Sequence, residues 1–188
     1  PKNSNIIIET PGWSSIILFA REGNIENKLV PLVKKDKNKG PLTVLPEFEK
    51  FVKNINEKTK MVYISSPNNV SGISVPMDEL KIILDSVPDN IIILIDQRFF
   101  DLSFNKDKLD AVKLINNYKN LIVLRSLNNT YNITSLTISY LVTNKTLADF
   151  IKSNHLINEI DPINEKLAVA CIDDKEYNKE LPRKIERE

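Results

Sequence analysis

Short apolar runs alternate along the chain with segments in which apolar residues recur every three or four positions. The runs Asn5–Glu9, Lys60–Ser65, Ile91–Ile95 and Leu121–Leu124 have the length of buried strands. The periodic segments Trp13–Arg21, Pro46–Lys58, Pro76–Val87 and Lys106–Tyr118 are typical of amphipathic helices. Because such alternation indicates βαβ units, we predict an α/β fold with three αβα layers and a mostly parallel sheet of about six strands.

The remaining segments extend this pattern at both sides of the sheet. Lys28–Val33 is predicted as an edge strand, because Pro31 cannot donate a hydrogen bond to a neighbouring strand. The next elements predicted are the polar loop Ser126–Ser135, the strand Leu136–Val142 and the helices Thr146–Ser153 and Ile163–Ile172. The charged segment Asp173–Arg187 is expected to end or kink at Pro182. We interpret residues 174–188 as the start of a connecting helix.

Two of the predicted strands end in polar residues. Asp96 follows the run Ile91–Ile95, and the polar stretch Ser126–Asn132 follows Leu121–Leu124. Open α/β sheets hold their ligands at the carboxyl ends of their strands. We therefore predict a site at Asp96 and Ser126–Asn132.

Composition and charge exclude several classes of protein. The 188 residues suffice for one domain, 1–188, with a full core, and the net charge of +1 gives no electrostatic case for a nucleic-acid or membrane partner. The single Cys171 excludes an internal disulfide, and with one histidine it argues against a Cys/His metal cluster. No apolar run approaches the roughly 20 residues of a spanning helix, and the N-terminus lacks a signal-peptide layout, so we expect a cytoplasmic protein.

Four ordered segments carry motifs: Pro11–Ile16, Ser66–Gly72, Asp96–Phe99 and Asn120–Tyr140. They resemble, in order, the Pro-x-aromatic-Ser segment, the Asn-Pro-Asn-Asn-Pro-Thr-Gly turn, the Asp-Glu-Ala-Tyr segment and the lysine-loop block of fold-type-I pyridoxal-phosphate (PLP) enzymes. The resemblance is closest to the histidinol-phosphate aminotransferase branch of the class I/II aminotransferases. It implies the PLP-dependent transferase-like large domain, with an antiparallel last strand. It also implies that the family's N-terminal arm, phosphate loop and C-terminal small domain are missing from this chain.

Four positions keep the residue of this family, and the resemblance implies a role for each. Trp13 matches the aromatic residue that stacks on the pyridine ring, and Asn69 matches the amide that bonds the ring hydroxyl. Asp96 matches the carboxylate that pairs with the protonated ring nitrogen and makes the ring an electron sink. Ser126 matches a contact to the cofactor phosphate.

Five positions depart from the family. Asn129 falls where the family has its Schiff-base lysine, and an amide can neither form an aldimine nor shuttle a proton. Asn128 replaces a phosphate-binding serine, and Thr137 replaces the phosphate-binding arginine. Phe99 replaces a tyrosine that steadies the ring oxygen, and Arg98 puts a large cation where the family has alanine.

The same residues also have interpretations that need no ligand. Trp13 could be a half-buried packing residue on a first helical turn, and Asn68 with Asn69 is a good turn pair. Asp96 could cap the turn after its strand, and Asn129 could belong to a solvated loop.

Two functions remain open at this point. The first is a catalytically inactive aminotransferase-like domain, a pseudoenzyme kept as a scaffold or interaction domain without a cofactor. The second is part of a PLP-dependent aminotransferase whose remaining site residues come from another segment or chain. The family dimerises through this domain, so we also predict exposed apolar surface that meets a second copy or a partner protein.

Overall fold

The computed structural model describes residues 3–31, 33–35, 44–46, 49–103, 106–133, 135, 138–154 and 160–187. Within these ranges the strands are β1 (Asn5–Thr10), β2 (Glu26–Pro31), β3 (Val33–Lys35), β4 (Val44–Pro46), β5 (Thr59–Ser65), β6 (Ile92–Asp96), β7 (Leu121–Ser126) and β8 (Ser139–Thr143). The α-helices are α1 (Ser14–Glu22), α2 (Glu49–Asn54), α3 (Met77–Ser86), α4 (Lys106–Leu109), α5 (Leu127–Thr130), α6 (Lys145–Asn154), α7 (Pro162–Asp173) and α8 (Lys175–Arg187). Two 3-10 turns span Phe100–Leu102 and Ala111–Leu114.

Six of these strands form one sheet in the order β2-β1-β5-β6-β7-β8. All neighbouring pairs are parallel except β7 and β8, which are antiparallel. The predicted mostly parallel sheet and the antiparallel last strand are therefore confirmed. β2 lies at one edge of the sheet, as Pro31 suggested, and β3 and β4 form a separate antiparallel pair.

The two faces of the sheet bury separate apolar clusters, because successive side chains of a strand point to opposite faces. One face packs Ile7, Val62, Ile64, Ile93, Ile95 and Val123 against residues of α2, of α3 and of the second 3-10 turn. The opposite face packs Ile6, Ile8 and Tyr63 against Ala20 of α1. Helical segments lie on both faces, which confirms the three-layer αβα architecture.

The helix predicted over Lys106–Tyr118 is not continuous, so that prediction was wrong in part. Helix α4 ends at Leu109, and Asp110 takes an extended conformation before the second 3-10 turn. The Asp110 carboxylate accepts the Val112 N–H and lies 2.7 Å from Arg125 of β7. The ion pair between Asp110 and Arg125 joins segments that are distant in the sequence, and Asp110 is extended rather than helical. Helical periodicity cannot predict such a contact.

Three other boundaries differ from the predictions. Helix α2 is shorter than the segment Pro46–Lys58, and the loop Ser126–Ser135 begins with one helical turn, α5. Helix α8 continues past Pro182 to Arg187, so the helix end expected there is not observed. Across the described ranges, no helix is long and apolar enough to cross a membrane.

Candidate functional site

The carboxyl ends of β5, β6 and β7 lie side by side at one edge of the sheet. Ser65 pairs with Asp96, and Asp96 pairs with Leu124. The Ser66 N–H donates to the Asp96 carbonyl at 2.9 Å, and the Gln97 N–H donates to the Leu124 carbonyl at 2.8 Å. The turns that follow these strands are therefore fixed against one another.

Asp96 is buried at the end of β6, and both of its carboxylate oxygens are bonded. The Tyr63 hydroxyl donates to Oδ2 at 2.6 Å. Arg98 donates from Nε to both oxygens at 2.9 and 3.0 Å, and from one terminal nitrogen to Oδ2 at 2.6 Å. The Arg98 backbone N–H also donates to Oδ1 at 3.1 Å. The carboxylate therefore caps its own turn and holds a cation by charge-assisted hydrogen bonds.

The guanidinium of Arg98 lies over the ring of Trp13. Its Cζ atom is 4.1 Å from the ring centroid, which is within cation–π range. Trp13 directly precedes α1, and its ring meets the Phe19 ring edge-on with 5.9 Å between centroids. One guanidinium thus contacts both Trp13 and Asp96.

Burial and charge shift the pKa values of both side-chain partners of Asp96. Burial raises the pKa of the Tyr63 hydroxyl far above its usual value, and the charge and hydrogen bond of Asp96 add to this. Burial acts to lower the pKa of Arg98, but the hydrogen bonds and charge of Asp96 outweigh it and raise that pKa. Tyr63 therefore stays protonated and Arg98 stays charged near neutral pH.

Glu9, at the end of β1, is a second buried carboxyl beside Asp96. Its Oε1 accepts the Ser65 N–H at 2.7 Å and an Asn68 side-chain N–H at 2.9 Å, whereas Oε2 has no partner among the described residues. Burial raises the pKa of Glu9 to about 8, since the two hydrogen bonds oppose the shift only in part and the charge of Asp96 adds to it. Gly12 allows this arrangement, because a Cβ there would lie 2.9 Å from the Glu9 carbonyl oxygen.

Asn68 orders the turn between β5 and α3. Its Oδ1 accepts the backbone N–H groups of Val70 and Ser71 at 2.9 and 2.8 Å. Its Nδ2 donates to the Pro11 carbonyl at 2.8 Å as well as to Glu9. Asn68 thereby ties the turn after β5 to the turn after β1.

Asn69 and Phe99 line a cavity of about 740 Å³ next to this network. Asn69 is exposed and Phe99 is half-buried. Lys108 of α4 lines the same cavity. Lys108 was not predicted as a site residue, because the lysine of the family motif belongs to the loop after β7.

The loop after β7 holds the remaining predicted residues. Ser126 is buried, and its hydroxyl donates to the side-chain oxygen of Asn128. Asn129 is half-buried in the single turn α5. Thr137 lies outside the described residues, so its predicted place opposite a phosphate stays a prediction.

The described site residues fall into three groups. Trp13 and Asp96 meet through Arg98, Asn69 and Phe99 share the cavity, and Ser126 contacts Asn128 beside Asn129. No hydrogen bond between described residues joins the third group to the first.

Sequence reasoning missed the contributions of Glu9 and Tyr63 and the position of Arg98. A carboxyl that ends a run of three isoleucines is a visible signal for Glu9. No such signal marks Tyr63, because the sequence of β5 is that of an ordinary buried strand. Arg98 was noted as a large cation, but only the burial of Asp96 shows that the side chain must fold back onto it.

The contacts of Asp96 offer no free nucleophile. The Tyr63 hydroxyl and the Arg98 guanidinium are both engaged with the carboxylate. Cys171 lies in α7, where burial and the charge of Asp174 raise the pKa of its thiol and disfavour the reactive thiolate. In the part of the chain that is described, no cluster of His, Cys, Asp or Glu could hold a metal ion.

Curated relatives of this chain are longer than the chain itself. A histidinol-phosphate aminotransferase of Caldicellulosiruptor saccharolyticus is 31% identical over 141 residues, which is 73% of this chain and 39% of that protein. Histidinol-phosphate aminotransferase 2 of Haemophilus influenzae is 29% identical over 131 residues, which is 70% of this chain and 36% of that protein. The chain therefore spans less than half the length of these relatives.

The fold has close counterparts among solved structures. A histidinol-phosphate aminotransferase from Sinorhizobium meliloti, in complex with pyridoxal-5'-phosphate, superposes with a TM-score of 0.84 at 16% identity over 99% of this chain and 48% of that chain. A PLP-bound putative aminotransferase from Clostridium difficile superposes with a TM-score of 0.82 at 21% identity over 100% of this chain and 49% of that one. At these identities the likeness concerns the fold alone.

The match to a family model concerns the whole segment rather than one motif. The model described as aminotransferase class I and II matches residues 1–187. The four ordered motifs and the parallel sheet agree with this match. The chain belongs to the class I and II aminotransferase family.

Proposed function

We propose that this segment is a catalytically inactive aminotransferase-like domain that serves as a scaffold or interaction domain. The observation that carries the proposal is Asn129 in the first turn after β7, at the position that the motif resemblance assigns to the family's lysine. An amide is not basic and cannot form an imine with an aldehyde. Transamination needs an amino group both to attach the cofactor covalently and to shuttle the proton. Asn129 supplies neither.

The residues around Asp96 do not fit PLP. The Arg98 guanidinium lies against the Trp13 ring and bonds both Asp96 oxygens, so it takes the two contacts that the resemblance assigns to the pyridine ring. A pyridinium nitrogen could reach Asp96 only after Arg98 had left. Thr137 in place of an arginine would also leave the phosphate without a cation.

A direct test is to mix the purified protein with micromolar PLP, reduce with borohydride and map the modified peptides. We expect no stoichiometric, saturable labelling, because the lysine and the phosphate cation are replaced. A relative that retains the loop lysine serves as the positive control. Saturable labelling of a single lysine would overturn the proposal.

The second candidate is part of a PLP-dependent aminotransferase whose remaining site residues come from another segment or chain. Lys108, which lies in a different segment from the loop after β7, favours this candidate. Lys108 lines the cavity that Asn69 and Phe99 also line. Under this alternative the relatives' names point to histidinol phosphate as the substrate. In the labelling experiment, modification that maps to Lys108 and is lost in Lys108→Arg would support it.

We also propose that the domain associates with a second copy of itself. Apolar side chains on helices α6 and α7 are exposed, among them Phe150, Ile163, Val169 and Ile172. Exposed apolar surface of this kind is characteristic of interaction sites. Light scattering should give a mass above 21.5 kDa that depends on concentration, and a monodisperse monomer at high concentration would contradict this.

A further inference from the structure

We propose that the space between the Trp13 ring and the Asp96 carboxylate, here called the Trp13–Asp96 slot, is a binding site for a planar cation of the guanidinium or amidine type. Arg98 is its tethered occupant. The inference goes beyond the proposed function, because it holds whether or not the segment ever supports catalysis.

The slot is complementary to a flat cation in both shape and charge. An aromatic face lies on one side, with the guanidinium carbon 4.1 Å from the ring centroid. A carboxylate on another side accepts three N–H···O hydrogen bonds of 2.6 to 3.0 Å from the guanidinium. Stacking and forked hydrogen bonding together favour planar guanidinium-type groups over a spherical ammonium.

The walls of the slot are fixed by neighbours rather than by Arg98. The Tyr63 hydroxyl holds Asp96 Oδ2 at 2.6 Å, and the Asp96 backbone pairs with both β5 and β7. Trp13 is held by its place at the start of α1 and by the Phe19 ring. The carboxylate is 3% exposed, whereas the Arg98 side chain is 18% exposed. The carboxylate is therefore more deeply buried than the guanidinium that covers it, and removing the arginine would leave a buried carboxyl group without its cationic partner.

The test replaces Arg98 with alanine and supplies the cation free in solution. The chain has one tryptophan, so its indole N–H gives a single NMR signal that reports on the slot. In Arg98→Ala we expect methylguanidinium to shift this signal saturably, with a dissociation constant of the order of millimolar for so small a ligand. Wild type should respond at least tenfold more weakly, because Arg98 competes within the chain.

Matched controls separate slot binding from general effects of charge. Tetramethylammonium carries the same charge but cannot donate hydrogen bonds, and it should bind Arg98→Ala at least tenfold more weakly. The double variant Asp96→Asn, Arg98→Ala should lose the response. Arg21→Ala removes an exposed arginine on α1 and should behave as wild type. Equal affinity in wild type and Arg98→Ala, or no saturable response in a folded Arg98→Ala, would overturn the proposal.

A measurement on the wild type covers the case in which Arg98→Ala does not fold. A stacked, forked guanidinium exchanges its Nε proton slowly, whereas an exposed one exchanges fast. We expect the Arg98 Nε–H signal to exchange with water at least tenfold more slowly than that of Arg21. If the two exchange alike, Arg98 does not occupy the slot and the inference fails.

Discussion

Burial in the folded protein raises the pKa of the Glu9 carboxyl into the neutral range. The carboxyl has an ordinary pKa of 4.5, and burial raises that pKa to about 8 in the folded protein. The folded state therefore holds a proton that the unfolded state releases between these two values. The stability that this proton contributes is fully present below pH 4.5 and is lost as the pH rises towards 8.

The substitution Glu9→Gln tests this pH dependence. An amide cannot ionise, and its oxygen can accept the same two hydrogen bonds from Ser65 and Asn68. Near pH 5 we expect the two proteins to be similar in stability. By pH 8 the variant should be more stable by about 2–4 kcal/mol, since one pKa unit corresponds to about 1.4 kcal/mol. Urea unfolding at several pH values measures the difference, and parallel curves for the two proteins would contradict the assignment.

Tyr63 provides a second test at the residue scale. Removing its hydroxyl with Tyr63→Phe leaves the ring in the core but takes one hydrogen bond from the buried Asp96, so we expect a loss of about 1.5–3 kcal/mol in the free energy of unfolding. Tyr118→Phe is the matched control, because the Tyr118 hydroxyl donates to Asp85 at the same distance of 2.6 Å but on the surface. The control should lose less than about 1 kcal/mol. Equal losses would mean that burial of Asp96 does not strengthen the contact.

The sequence predicted where Trp13 and Asp96 lie but not what lies between them. Both residues end or begin regular elements, and the order of strands and helices is enough to locate such positions. The Arg98 side chain has several rotatable bonds, and its direction is decided by a buried carboxylate and an aromatic face in three dimensions. The periodicity of apolar residues along the sequence cannot predict the direction of that side chain.

At the scale of elements, Asn68 connects the turn after β1 with the turn after β5. Asn68→Ala would leave the Pro11 carbonyl, the Glu9 carboxyl and two backbone N–H groups without this partner, so we expect a loss of about 3 kcal/mol or more. Asn69→Ala is the control, because Asn69 is exposed on the same turn and should cost less than about 0.5 kcal/mol. Thermal unfolding compares the two. A mild effect of Asn68→Ala would show that the turns hold together without it.

The strands were easier to predict than the helical segments between them. Strands β1, β5, β6 and β7 are short apolar runs whose burial needs no knowledge of partners. The segment after α4 broke the helical prediction, because the buried Arg125 bonds both Asp110 and Gln97 and lies over the Phe100 ring. Side chains from three distant segments decide that geometry, and a local pattern cannot include them.

At the scale of the whole molecule, the chain keeps a mostly parallel sheet, while the motif resemblance implies that residues at the edge of that sheet depart from the family at several independent places. By the motif resemblance, Asn129 stands in place of the lysine, and Phe99 and Thr137 stand in place of two further groups. Arg98 occupies the Trp13–Asp96 slot. If each loss alone blocks turnover, no single reversal can restore it. Fold and activity are then separable in this chain, since the core residues do not include the altered positions.

The most direct measurement of this claim is the transaminase activity of Asn129→Lys. The variant regains the amine that an aldimine requires, but Arg98 still fills the slot and Thr137 still leaves the phosphate without its arginine. With PLP, histidinol phosphate as amino donor and a 2-oxo acid as acceptor, we expect no turnover above that of wild type. Detectable transamination by Asn129→Lys alone would contradict the account, because a single substitution could not restore turnover if Arg98, Phe99 and Thr137 each block it as well.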